Sequence, residues 1–199
     1  NGGHFQEARL TLDRALQQLP KHAVSRRAEI LVKQALLSSM TGALERATEL
    51  NAEAVGLLHR RGTNSFASAL LNLGEVSGRR GFERAARAYF EEARTVAERK
   101  GVARVVHLAI ESLARSHAQA GRLDEAASLL ERMLADADDS AIARVVQGTR
   151  RALAAVRLQQ NRAAETVELI EQYVQADAST PQPDALPRVF LLGARAHFV

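Results

Sequence analysis

The chain contains no cysteine and no tryptophan. Disulfides and thiolate metal sites are excluded, while the redox character of the compartment stays open. Proline occurs 4 times and glycine 12 times in 199 residues, so breakers are sparse. Aromatics make up 4% of the chain against a hydrophobic content of 46%, which leaves Ala, Leu and Val to form the core. No run approaches the roughly 18 apolar residues of a membrane span, so no membrane partner is expected. No secretory signal is visible, although both ends look cut, and the expected location is the cytoplasm. Lysine stands only at Lys21, Lys33 and Lys100, so arginine supplies almost all of the 27 basic residues. The arginines are interleaved with Asp and Glu, and the net charge is only +4. A solvated, ion-paired surface is expected from this pattern, with no direct nucleic-acid contact. What is abundant is Ala, Leu, Arg, Glu and Gln, the strongest helix formers. The Arg- and Ala-rich usage points to a GC-rich bacterial source.

The small residues recur at fixed distances. Gly3, Gly42, Gly81, Gly121 and Asn161 are separated by 39, 39, 40 and 40 residues. Five positions after each anchor stand Ala8, Ala47, Ala86, Ala126 and Thr166. Nine after stand Leu12, Asn51, Phe90, Leu130 and Ile170, and twelve after stand Ala15, Ala54, Ala93, Met133 and Tyr173. Seven before stand Ala35, Gly74, Ala114 and Ala154. Internal periods of this size mark a solenoid.

Each unit is expected to be two antiparallel helices joined by a tight turn. Gly or Asn belongs in the turn because the chain must enter the left-handed region after the first helix. Small side chains before and after the turn let the two helices cross closely, and the larger residue nine after it fills the splay. One such hairpin cannot bury its apolar face alone, so the units must stack. Second helices are expected near 4–18, 43–60, 82–100, 122–135 and 162–176. First helices are expected near 23–40, 64–79, 103–120, 141–159 and 184–198. The segment from Asp177 to Pro187 carries three prolines and reads as a loop. The whole chain, 1–199, reads as one helical-repeat domain with units at about 1–22, 23–62, 63–101, 102–140, 141–183 and 184–199. It begins and ends inside a repeat, as a piece of a longer superhelix would.

These columns resemble the tetratricopeptide repeat (TPR). The best matches are Leu73, Gly74, Gly81, Ala86, Phe90 and Ala93 in one unit, and Leu113, Ala114, Gly121, Leu123, Ala126 and Leu130 in the next. Gly3, Phe5, Ala8, Leu12, Ala15 and Pro20 match as a half-repeat. The resemblance implies an all-α, right-handed superhelical solenoid of stacked helix hairpins. The departures are the position after the turn (Leu44, Glu83, Leu123 and Ala163 where Phe5 has an aromatic), Asn51 in an apolar column, and a period longer than the usual 34 or so. The long period is similar to that of large bacterial transcriptional regulators of the maltose-activator and antibiotic-regulator types; kinesin light chains use it too.

Residues for chemistry are missing. His107 and Glu111, four apart, are two ligands where a zinc site needs more. Neither a nucleophile elbow nor a phosphate-binding loop occurs, and Gly78 to Gly81 is the repeat's own turn. Asp136, Asp138 and Asp139 lack calcium-loop spacing; Asp138, Asp139 or Ser140 suits a helix cap. Arg79, Arg80, Arg84 and Arg87, with Arg60 and Arg61 one repeat back, form the densest basic group. It reads as a solvated face paired with Glu83, Glu91 and Glu92, because the aromatics needed for base stacking are absent. No catalytic residue, metal ligand or cofactor is therefore expected, and the chain reads as non-enzymatic.

By the resemblance, first helices line a concave groove. Its positions here are Glu29, Val32, Leu36 and Ser39; Ser68, Leu71, Glu75, Gly78 and Arg79; Leu108, Glu111, Arg115, Ala118 and Gln119; and Arg151, Ala155, Leu158 and Gln159. Apolar spots alternate with Glu and Arg, which suits a protein or peptide offering apolar anchors and charge. Glu75 with Arg79 and Glu111 with Arg115 are also spaced to neutralise each other. The Lys and Asn set that clamps a terminal carboxylate in chaperone-binding members is not present, since Val32, Leu36 and Gly78 stand there. The expected function is a protein- or peptide-binding scaffold, the sensor or assembly arm of a larger bacterial transcriptional regulator. The alternative is a receptor domain for a small-molecule inducer. Self-association through exposed end helices stays open.

Overall fold

The computed structural model describes residues 2–59, 64–136 and 143–177. The backbone turns where the repeat columns require it. Gly42, Gly81 and Gly121 have φ of 84°, 82° and 76°, and Asn161 has 59°. Each turn closes with the same two bonds. The N–H after the anchor reaches back to the carbonyl five residues earlier, as in Phe82 to Ser77 and Arg162 to Arg157, both 2.9 Å. The anchor's own N–H reaches back three residues, as in Gly81 to Gly78 (2.9 Å) and Asn161 to Leu158 (3.1 Å). This Schellman arrangement satisfies the last carbonyls of the first helix. It also starts the second helix without a side-chain cap: Ala43, Phe82 and Arg122 stand at those N-caps.

The resulting helices are α1 (Gly2–Gln18), α2 (Val24–Met40), α3 (Leu44–Leu58), α4 (Asn64–Arg79), α5 (Glu83–Lys100), α6 (Ala103–Gln119), α7 (Leu123–Ala135), α8 (Ala143–Gln159) and α9 (Ala163–Asp177). No strand occurs among the described residues. The expected elements are present with shifts of one or two residues at most ends. The expected helix at 184–198, nearly all of the proline-rich loop and the capping residues Asp138, Asp139 and Ser140 lie outside the described residues. Gly3 departs from its column. It is helical within α1. Gly101, with φ of 66°, ends α5 and was not anticipated.

The chain divides into two compact units, 1–109 and 110–199, with the division inside α6. In the first, α2 packs on α3 and α4 on α5 as hairpins, and α3 packs on α4 to stack them. In the second, α7 packs on α8 and α8 on α9. The architecture is an all-α solenoid of helix hairpins.

The small columns sit at the helix crossings. Ala35, Ala47, Ala86, Ala114, Ala126, Ala154 and Thr166 are almost wholly buried. Thr166 turns its hydroxyl onto the Arg162 carbonyl (3.0 Å) and so behaves as a small residue. Gly74 shows why size is fixed: a Cβ there would stand 2.5 Å from the Phe90 ring. Where Phe90 is replaced by Leu130, the opposed residue is Ala114, so glycine accompanies the largest partner. In the second unit Leu130, Met133, Leu153 and Val156 close the core around Ala126 and Ala127. Ala8, in the same column as Ala126, is exposed.

Asn51 breaks the apolar column and is 1% exposed with neither amide atom hydrogen-bonded. An unmet buried amide is destabilising by about 1–3 kcal/mol. Asn51→Leu restores the column's chemistry at similar volume, and urea unfolding is expected to show a gain of about 1–2 kcal/mol. Ala86→Leu is expected to lose about 1–3 kcal/mol by overpacking the α4–α5 crossing. Equal shifts of the same sign would refute this account of the columns.

Candidate binding surface

The first helices of successive hairpins, α2 and α4, lie against each other in the first unit. Two polar bridges join them. At one end the Arg79 guanidinium donates to the Ser39 carbonyl at 2.8 Å and also to the Ser39 hydroxyl. At the other, the Ser65 hydroxyl donates to Glu29 at 3.4 Å. Both contacts are exposed, so their net contribution is small, but they fix the rim. Leu36, 53% exposed, and Met40, 63% exposed, project from α2 one turn apart. Val32, Ser68 and Glu75 are half-buried, and Leu71 is buried. Leu108, on the part of α6 that belongs to this unit, is half-buried. Arg79 therefore holds Ser39.

In the second unit the surface centres on Glu111. Desolvation raises its carboxyl pKa above the ordinary value, partly offset by the positive charges of Arg151 and Arg115. The carboxylate lies against the backbone of α8 at Gly148, where a Cβ would stand 2.8 Å from Oε1. Gly148 thus leaves the space that Glu111 occupies. Arg115 is exposed, and its Nη2 donates to the Ser112 hydroxyl at 3.2 Å. Ala118, Arg151, Ala155 and Leu158 are half-buried, and Gln119 and Gln159 are exposed.

Two members of the arginine group, Arg79 and Arg80, are held by partners outside the expected acidic set. Arg80 donates to the Thr48 hydroxyl at 3.1 Å, lies 3.7 Å from the Glu45 carboxylate and stacks over Phe82 at 5.1 Å. With Arg79 on Ser39, neither uses Glu83, Glu91 or Glu92 for these contacts. Arg60 and Arg61 lie outside the described residues. His107 buries an unpartnered Nδ1, and burial lowers its pKa. No group of three or more His, Asp or Glu is placed to hold a metal among the described residues. No described helix is long and apolar enough to cross a membrane.

Met40 was not picked out from the sequence, although it stands 39 residues before Arg79 in the same column. The reach of Arg80 to α3 was also missed. Its partners lie 32 and 35 residues away, beyond any local pattern.

No protein family model matches the chain, and no curated protein matches it in sequence. Solved structures do. The BtubC (BKLC) protein of P. vanneervenii superposes with a TM-score of 0.76 at 19% identity, covering 92% of this chain and 78% of that one. The Q17M form of a Podosopora anserina protein described as a kinesin light chain with nearly identical TPR-like repeats gives 0.72, also at 19% identity. It covers 90% of this chain and 89% of that one. The fold is TPR-like. At this identity the likeness concerns the TPR-like architecture alone.

The raised pKa of Glu111 gives this TPR-like surface a pH signature. The folded state holds the Glu111 proton more tightly than the unfolded state, whose reference is 4.5. Its contribution is fully present below pH 4.5 and is lost as pH rises through the raised folded value. Glu111→Gln is expected to melt above the parent at pH 7, with the gap closing as the pH falls toward 4.5. Thermal denaturation across that range checks this, and a gap independent of pH would refute it.

Proposed function

We propose that this chain is a non-catalytic scaffold that binds a protein or peptide on the exposed faces of its first helices. The observation that carries this is the pair Leu36 and Met40. Both are more than half exposed. They are framed by the Arg79–Ser39 and Glu29–Ser65 bridges. An apolar centre inside a polar rim is the usual anatomy of a protein-binding patch. It suits a partner segment presenting apolar side chains about one helical turn apart. The second unit's face, with Arg115 and Arg151 around one pinched carboxylate, suits a partner carrying carboxylates. The further reading, an arm of a larger bacterial transcriptional regulator, rests on the 39- to 40-residue period and the Arg-rich composition.

The test is selection of peptides from a random display library on the 199-residue protein, followed by affinity measurement against variants. Leu36→Ser with Met40→Ser is expected to weaken apolar-anchored peptides at least about tenfold. Reversing Glu111 and Arg115 together is expected to weaken peptides that carry carboxylates. Reversing Glu91 and Glu92 on α5, a second helix, is expected to leave both unchanged. Equal losses from the α5 variant would sink the assignment of the surface.

A further inference from the structure

The opposite side of the first hairpin carries a second feature. A cleft of about 400 Å³ lies between α1, α2 and α3, within the size range of small-molecule sites. Its apolar wall includes Phe5, Leu37 and Leu50, and its polar wall includes Arg9, Asp13, Gln34 and Arg46.

The repeat itself explains why this joint is open. Thirty-nine residues on, Thr41, Ala43 and Leu50 of the cleft become Arg80, Phe82 and Tyr89. There Arg80 spans back to Thr48 and Glu45 over the Phe82 ring. In the second unit this column holds Ala120 and Gln160, and Gln160 donates to Asp124 of α7 at 2.6 Å. Thr41 is too short for such a reach. Its hydroxyl folds back onto the Leu37 and Ser38 carbonyls of its own helix, both at 3.1 Å.

Gln34 gives the cleft its chemistry. It stands in a column that is otherwise leucine: Leu73, Leu113 and Leu153. Gln34 is only 7% exposed. Its Nε2 donates to Asp13 at 2.6 Å, which fixes the amide orientation. Its Oε1 is buried without a partner. A leucine at this position would leave no buried acceptor unmet, so the amide fits a donor that arrives from outside. Two guanidinium groups stand at the same cleft. Arg9 is exposed and has no hydrogen-bond or ion-pair partner among the described residues. Arg46 is exposed and shares its charge with Glu49 at 3.0 Å.

We infer that this cleft binds a small organic anion that carries an N–H or O–H donor and an apolar side chain. The anion lies against Arg9 and Arg46, the donor bonds to Gln34 Oε1, and the apolar part covers Leu37 and Leu50. The site is separate from the first-helix face and does not depend on peptide binding there.

The experiment is titration of the ¹⁵N-labelled 199-residue protein with N-acetyl-leucine, its uncharged amide and glycerol 3-phosphate, read by chemical-shift changes. N-acetyl-leucine is expected to shift α1, α2 and α3 resonances at millimolar concentration, and its amide to bind at least about tenfold more weakly. Binding by glycerol 3-phosphate alone would assign the anion as phosphate; binding by N-acetyl-leucine assigns it as carboxylate. Arg9→Ala with Arg46→Ala is expected to remove the preference for the charged probe. Gln34→Leu, the residue type at Leu73, Leu113 and Leu153, is expected to keep the fold and to weaken N-acetyl-leucine. Thr41→Leu with Ala43→Phe fills the cleft with uncharged bulk and is expected to abolish binding, while peptides on the α2–α4 face still bind. Absence of shifts with all three probes at 10 mM would overturn the inference. Shifts that survive Thr41→Leu with Ala43→Phe would overturn it too.

Discussion

The structure depends on how closely two helices of a hairpin can cross. Gly74 has room for Phe90 only because it lacks a Cβ. Elsewhere alanine faces a smaller partner, as Ala114 faces Leu130 in the columns. The crossing sets the helix separation, and the left-handed residue after the first helix sets the return direction. With both fixed every 39 or 40 residues, each face of the chain inherits the same period. Met40, Arg79, Gln119 and Gln159 therefore occupy one row, and Thr41, Arg80, Ala120 and Gln160 another. The surfaces that could carry function are consequences of the crossing, read in different columns.

This explains which features were legible in the sequence. The turns and crossings depend on properties of single residues, namely positive φ at Gly42, Gly81, Gly121 and Asn161 and small volume at Ala47, Ala86 and Ala126. A repeated local requirement leaves a repeated local mark. Helix positions followed from those marks almost to the residue. The ties between repeats were not legible, because a long side chain can satisfy itself in several ways. Arg80 has Glu83 nearby in sequence, yet it reaches Glu45 and Thr48, which stacking brings alongside. Gly3 shows the converse error: a glycine in the right column is helical, so the column alone does not make a turn. Of the expected binding face, Leu36 was recognised as apolar and Met40 was overlooked. The column had been read from its charged member, Arg79.

Buried polarity follows the same division. Asn51 was visible as a departure from an apolar column, but only the packing shows that neither amide atom is met. Gln34 lies in a leucine column and meets only half of its potential. Glu111 is the reverse case. Its carboxylate stays in a desolvated position because Gly148, in the column of Glu29, Ser68 and Leu108, gives up its side chain to make room. Here the small residue serves a polar neighbour and not a helix crossing.

A repeat chain has little freedom at its crossings, where a methyl group too many destabilises the hairpin. It has much more freedom where the last turn of a first helix meets the preceding second helix. There an arginine, a glutamine or a threonine leaves the turn intact, since the turn's own bonds are made by the backbone. What changes is whether the joint is tied or open. Arg80 and Gln160 tie theirs; Thr41 does not. Function in such a chain is therefore best sought where a unit departs from its neighbours without breaking the crossing. In this chain those departures gather in the first complete repeat, where Gln34, Leu36, Met40 and Thr41 stand within two turns of one helix and face two different surfaces.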